Sequence, residues 1–323
     1  MKGGGFLRFA VVVLGLALGG PVYAQAWPAK LVRVVVPFPA GGGTDVQARV
    51  IVREIQDRLG QTFIIDNRAG ASGLVGAELV VNSPADGYTI LFTTASLAII
   101  TTLYGDRMKF NPVKSLAPIS FVSTTPLVLI VHPNVPARTA KDMIELVRKK
   151  PDFLNAAINP AGTTSHLSAE MFKQLAGVKF TTVPYKGGGL SMVAVMGGEV
   201  DFQFAEGLLA APQLKAEKIR ALAVTTPQPS AFFPDLPTMT SLLPGFVSDN
   251  WFAMYFPAGT SREIIATMNA TIRKALATET VRAFAKREVL SLVGGSPDEL
   301  GVFLKDEIAR YGEVIRKGNI TLQ

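Results

Sequence analysis

One local arrangement recurs along this chain and constrains its fold more than any other feature. A short apolar run enters a small-residue loop, and the loop opens a helix. Pro39-Ala40-Gly41-Gly42, Pro160-Ala161-Gly162-Thr163 and Pro257-Ala258-Gly259-Thr260 each stand at such a junction. Before the first of them, Val34-Val35-Val36 reads as a buried strand. Gly41, Gly42 and Gly43 lack a Cβ, so the backbone there can approach a partner closely. Thr44 or Asp45 is placed to cap the helix that follows, whose free N–H groups form an anion site. Strands and helices alternating at this spacing predict parallel βαβ units with right-handed crossovers. In open sheets of that kind, ligands bind beyond the carboxyl ends of the strands, where these loops lie.

The rest of the chain continues the pattern. Val46, Val50, Ile51, Ile55 and Leu59 fall at helical spacing, and Gly60 stands where a helix-ending glycine belongs. Further strands are expected over residues 63–65, 88–93, 156–158, 180–184, 200–204, 219–225 and 251–256. Residues 118–131 are rich in β-formers, and a domain crossing is expected at 123–126. Thr139 with Asp142, and Ser296-Pro297-Asp298-Glu299, carry helix-start signals. The proline-rich residues 226–247 read as an ordered connecting loop, and the C-terminal helices as packing back on the first domain. The expected organisation is a first lobe over 27–124, a second over 125–248, and a return to the first over 249–323.

A chain of 323 residues with 48% apolar content is long enough for two globular lobes. It has no cysteine, which excludes disulfides, thiolate metal sites, a cysteine nucleophile and a lipid-bearing cysteine. Lys2 and Arg8 supply two of the net charge of +7 and leave +5. Only Arg148-Lys149-Lys150 cluster, at a helix end where cations suit the dipole, so no nucleic-acid partner is expected. Lys2 and Arg8 form a basic stretch before an apolar run over 9–18, and Val22-Tyr23-Ala24 and Ala24-Gln25-Ala26 are small-residue cleavage patterns. Residues 1–26 thus read as a secretory signal peptide, too short to span a membrane, and the mature protein as soluble and periplasmic.

The first loop is not a phosphate-binding Walker loop, because no Gly-Lys-Ser/Thr follows it. It also lacks the dinucleotide spacing, since Val46 stands where the third glycine would be. A structural turn and a backbone anion cradle remain. His132 and His166 are the two histidines, a poor ligand set, so neither metal nor cofactor is expected. Ser165 precedes His166 directly, but adjacency supplies no nucleophile–base geometry; an exported hydrolase using the pair is the minor alternative. Glu170 is spaced to pair with His166 along a helix. Lys186 either faces an anionic ligand or is solvated, Glu206 either faces a cleft or starts a helix, and Trp251 reads as core before lid or platform.

These pieces form an ordered set. Pro37-Phe38-Pro39-Ala40-Gly41-Gly42-Gly43-Thr44-Asp45 is followed by Asn67-Arg68-Ala69-Gly70-Ala71-Ser72-Gly73 and Pro84-Ala85-Asp86-Gly87-Tyr88-Thr89. Then come Gly162-Thr163-Thr164-Ser165-His166-Leu167, Val183-Pro184-Tyr185-Lys186-Gly187-Gly188-Gly189, Gly198-Glu199-Val200-Asp201 and Pro257-Ala258-Gly259-Thr260. In order and spacing the whole mature chain resembles the Bug family, the TctC-like periplasmic solute-binding proteins of tripartite tricarboxylate transporters. The resemblance implies an α/β fold of the type II periplasmic-binding-protein kind: two doubly wound lobes joined by two crossing strands, with a ligand cleft between them. It implies a monomer without catalysis that binds a small carboxylate and works with integral-membrane permease subunits, or with a membrane signalling partner. By position, Phe38, Pro39, Ala40, Gly41, Gly42, Ala71, Ser72, Ala95 and Ser96 should line the cleft from one side. Ala161, Gly162, Thr163, Thr164, Ser165, His166, Tyr185, Lys186 and Gly187 should face them, with Glu206 as a further candidate. The backbone N–H groups of Ala40 to Gly42 are expected to receive the carboxylate. Two departures, Leu74 where a polar residue is usual and Phe204-Ala205-Glu206 where Phe-Asp is usual, favour a monocarboxylate with an apolar body over citrate.

Overall fold

The computed structural model describes residues 27–321; the expected signal peptide over 1–26 lies outside the described residues. β1 (Val32–Val36) leads into α1 (Gly43–Leu59), β2 (Phe63–Asn67), α2 (Leu74–Val81), β3 (Thr89–Thr94), α3 (Ser96–Tyr104), the single turn α4 (Pro112–Ser115) and the long β4 (Leu116–Thr125). Then follow β5 (Leu127–Val131), α5 (Ala140–Lys149), β6 (Asn155–Ile158), α6 (Thr164–Ala176), β7 (Thr181–Pro184), α7 (Gly188–Met196), β8 (Phe202–Glu206), α8 (Gly207–Lys215) and β9 (Arg220–Val224). The chain ends with β10 (Asn250–Pro257), α9 (Arg262–Leu276), α10 (Glu279–Arg287), the two-residue β11 (Ser291–Leu292) and α11 (Pro297–Lys317).

The strands form two sheets, ordered β11-β4-β10-β3-β1-β2 and β7-β6-β8-β5-β9. β1 runs parallel to β2 and β3, and β6 parallel to β7 and β8, as βαβ units require. β10 and β5 run antiparallel to their neighbours. The chain leaves the first sheet after Thr125 and re-enters it at Asn250, and these two residues pair in register. Two crossing strands therefore lie side by side where the sheets meet.

Both faces of each sheet are covered, which is why the strands read as continuous apolar runs. Val34 and Val36 pack with Ile51, Ile55 and Met254 on one face of the first sheet, while Val35 packs with Leu91, Tyr255 and Leu304 on the other. That split is the two-residue period of a strand. α11 sends Leu300, Leu304, Tyr311 and Ile315 into the same cluster, so the C-terminal helix packs on the first sheet. The helix signals work locally: Gly60 and Gly177 end α1 and α6 at φ 65° and 63°, and Thr139 and Ser296 make reciprocal capping boxes with Asp142 and Glu299.

Two helices escape the sequence pattern. α3 contains Leu97-Ala98-Ile99-Ile100, all buried, so no 3.6-residue period shows. α10 buries only Val281, Phe284 and Ala285 in a short charged segment, which leads to β11 at the sheet edge.

Candidate functional site

The loops at the carboxyl ends of the parallel strands meet around a cavity of about 800 Å³ between the two sheets. From the first sheet come Phe38, Pro39, Ala40, Gly41, Gly42, Gly43 and Thr44 after β1, Ala71 and Ser72 after β2, and Thr94 and Ser96 at the end of β3. From the second come Asn159, Thr163, Thr164 and Ser165 after β6, Lys186, Gly187 and Gly188 after β7, and Glu206 ending β8.

The helix N-termini divide by location. α1, α2, α3, α6, α7 and α8 all start at this cavity, and in none does the N-cap side chain accept a bond from the first turn. α4, α5, α9, α10 and α11 start elsewhere, and each is capped by its own side chain: Asn111, Thr139, Ser261, Thr278 and Ser296. In α1, α6 and α7 the first turn closes with Val46 on Gly42, Leu167 on Thr163 and Ser191 on Gly187. The amides of residues 43–45, 164–166 and 188–190 precede those bonds. Each such terminus carries about half a positive charge. Their convergence makes an anion site without a cluster of cations.

The first loop differs from expectation in one detail. Gly41 donates its N–H to Asp45 Oδ2 at 2.8 Å, and Gly42 donates to the Pro39 carbonyl at 3.3 Å. Gly41 and Gly42 are thus engaged within the loop, and the helix-start amides of residues 43–45 are the free donors beside them. Asp45 is buried; its Oδ2 also accepts from Arg49 Nε at 2.9 Å and its Oδ1 from Asn67 Nδ2 at 3.0 Å. Burial pushes its pKa up, but these donors outweigh burial and hold it below the usual carboxylate range. Asp45 therefore organises the loop instead of capping the helix.

Five expected wall residues stand behind the wall. Ala95 is buried in the core. Ala161 turns its carbonyl to Ser72 Oγ at 2.5 Å, and a Cβ on Gly162 would stand 3.3 Å from Ile100 and Leu103. Tyr185 points away and bonds Glu199 at 3.1 Å. His166 is buried, with Nδ1 accepting the Gly162 N–H at 3.4 Å, and burial lowers its pKa. Glu170 pairs with Lys173 at 2.8 Å and not with His166, so no Ser–His–acid chain forms among the described residues. Leu74 packs with Ile100 and Met108. Trp251 is fully buried, and its Nε1 donates to Glu307 Oε2 at 2.9 Å.

The structure adds wall residues that sequence reasoning missed. Gln47 lies one helical turn beyond Gly43; its amide nitrogen bonds Ser123 Oγ, while its Oε1 has no partner. Ser165 Oγ is likewise buried without a partner. Asn250, Phe252, Phe284, Glu288 and Leu290 reach the cavity from the returning chain. Asn250 Nδ2 donates to Glu206 Oε1 at 3.0 Å. Burial pushes the Glu206 carboxyl above the ordinary range, against the opposing pull of that bond. Nothing local in the sequence marks these residues, because only the second crossing brings them to the loops.

A two-lobed α/β protein whose cavity is walled by uncapped helix N-termini, hydroxyls and phenylalanines is, as a class, a solute-binding protein. The family model for the tripartite tricarboxylate transporter family receptor matches residues 47–320, and the chain belongs to that family. It is a family of receptors, not of enzymes. The protein BugT of Bordetella pertussis is 35% identical over 321 residues, spanning 97% of this chain and 98% of BugT. The structure of R. palustris Rpa4515 with adipate superposes with a TM-score of 0.83 at 33% identity, over 91% of this chain and 99% of that one. MatC from Rhodopseudomonas palustris with bound malate gives 0.80 at 29%, over 89% and 99%.

Proposed function

We propose that this protein is an extracytoplasmic receptor that traps a small carboxylate between its lobes and hands it to the permease subunits of a tripartite tricarboxylate-type transporter. The observation that carries the reading is the division of helix starts: six uncapped at the cavity, five side-chain-capped away from it. A carboxylate supplies the missing acceptor at the starts of α1, α6 and α7. Ser96 and Ser165 add hydroxyl donors, and Lys186 adds a cation. Phe38, Phe252 and Leu208 supply an apolar wall for the body of the ligand. Adipate and malate bound in the two similar structures support the same ligand class. The protein acts as a periplasmic monomer exported by its N-terminal signal, and binding shifts a hinge equilibrium at the paired crossing strands.

The test is a thermal-shift screen of the mature protein against mono-, di- and tricarboxylates. A ligand at 100 times its Kd raises stability by about 2.7 kcal/mol by mass action. A clear upward shift with one carboxylate class is expected; a flat response across the panel removes the assignment.

A further inference from the structure

Glu206 occupies a distinctive position. It ends β8 at the head of α8, faces the cavity, and bonds Asn250 through Oε1. Its Oε2 stands 3.9 Å from the point that a Cβ on Gly43 would occupy, so the carboxyl abuts the uncapped start of α1. Among the described residues it makes no ion pair. The elements packed around it bring apolar or neutral groups: Leu127 opposite it on β5, Asn250 on β10, and Leu208 on α8. Two other charged side chains line the cavity, Lys186 before α7 and Glu288 after α10, and Glu288 is already bonded to Arg287 at 2.8 Å.

A ligand carboxylate seated on the start of α1 would stand beside Glu206. Two carboxylates side by side in a desolvated site cannot both stay ionised; the pair holds one proton between them. Burial already pushes the Glu206 carboxyl above its ordinary range, which makes the added proton less costly than on a solvated carboxylate.

We propose that Glu206 takes up one proton from solvent as the ligand binds and donates the resulting O–H to the ligand carboxylate. This rests on the carboxylate reading above. The proton moves from solvent onto the Glu206 carboxylate, and no other bond is made or broken. Affinity then falls about tenfold for each pH unit above the pKa of the free site.

The experiment is titration calorimetry of the mature protein at pH 8 in phosphate and in Tris, whose ionisation enthalpies differ. Acetate, benzoate, nicotinate, adipate, malate and citrate are the probes. The tightest binder should bring about one proton with it. Glu206→Gln, which donates N–H without titrating, should still bind but with no proton uptake. Binding to the native protein without proton uptake overturns the inference and leaves the carboxylate reading intact. A preference for aspartate, taken as a seventh probe, over malate that is lost in Glu206→Gln also overturns it, by making Glu206 a counter-ion. Failure of all seven probes to bind removes both. Should Glu206→Gln not fold, the proton count of the native protein still decides.

Discussion

Ser72 Oγ donates to the Ala161 carbonyl at 2.5 Å and so ties the loop after β2 to the loop after β6, across the cavity. Ala71 and Ser72 hold left-handed φ values of 49° and 53° to place that hydroxyl. The bond joins the two lobes, so it stabilises the closed arrangement without supporting either lobe alone. Ser72→Ala should weaken ligand binding about 3–10-fold, corresponding to roughly 1 kcal/mol, with the melting temperature of the free protein almost unchanged. Calorimetry beside a melting curve separates the two effects. An equal loss in both would place the bond in the folding of one lobe.

Gly43 gives the sharpest steric test. A Cβ there meets Leu208 at 3.5 Å and Glu206 at 3.9 Å, both ordinary contacts, so α1 accepts a side chain. The branches of a valine would then occupy the space beside the free amides. Gly43→Val should cost at least about tenfold in affinity, equivalent to about 1.4 kcal/mol, while leaving the fold intact.

Asp45 is expected to behave differently, because it holds the loop and does not face the ligand. Asp45→Ala leaves the Gly41 N–H without its acceptor, removes one of the two acceptors of Asn67 Nδ2, and should cost about 2 kcal/mol of stability. The folded-state pKa of Asp45 is depressed, so its contribution is present above the unfolded value of 3.8 and is lost as pH falls through the folded value. Urea denaturation at pH 7 and pH 3 should show a smaller penalty for Asp45→Ala at the lower pH.

Asp249 carries the opposite sign. It precedes the returning strand, and burial first, then the neighbouring Glu307, push its pKa up to about 6. Between the unfolded value of 3.8 and about 6 the folded state binds the proton more tightly, so this group costs stability as pH rises through that window. Asp249→Asn should therefore raise the melting temperature at pH 7.5 and leave it unchanged at pH 3.5. An Asn variant that melts lower at pH 7.5 would show the carboxylate to be a structural ligand of Arg310.

The legible parts of this chain were those written in adjacent residues. Val34-Val35-Val36 followed by glycines identified β1 and the loop on the cavity, and Gly60, Gly177, Thr139 and Ser296 marked helix ends by local chemistry that the structure repeats. The family followed from the order of such motifs. What local sequence did not carry was the direction a residue faces at a loop's end. Ala95 and His166 sit one residue from Ser96 and Ser165, yet those neighbours reach the cavity while Ala95 and His166 are buried behind it. Nor could it show Asp45 accepting from Gly41 and the Pro39 carbonyl from Gly42, which takes those two amides out of the donor set and leaves the helix-start amides of residues 43–45. Asn250, Phe284 and Glu288 join the wall only because the chain crosses back. α3 was hidden for a further reason: a helix buried on every side has no polar face to reveal its period.

Converging helix N-termini are proposed to receive the ligand's carboxylate. The most direct measurement compares, by calorimetry, the tightest-binding acid from the panel with its primary amide, which has the same shape and lacks the charge. One acid should bind per protein, with the amide at least about 100-fold weaker, a loss of roughly 2.7 kcal/mol. Equal affinity for acid and amide would contradict this, since the cavity would then be selecting the apolar body and not the carboxylate.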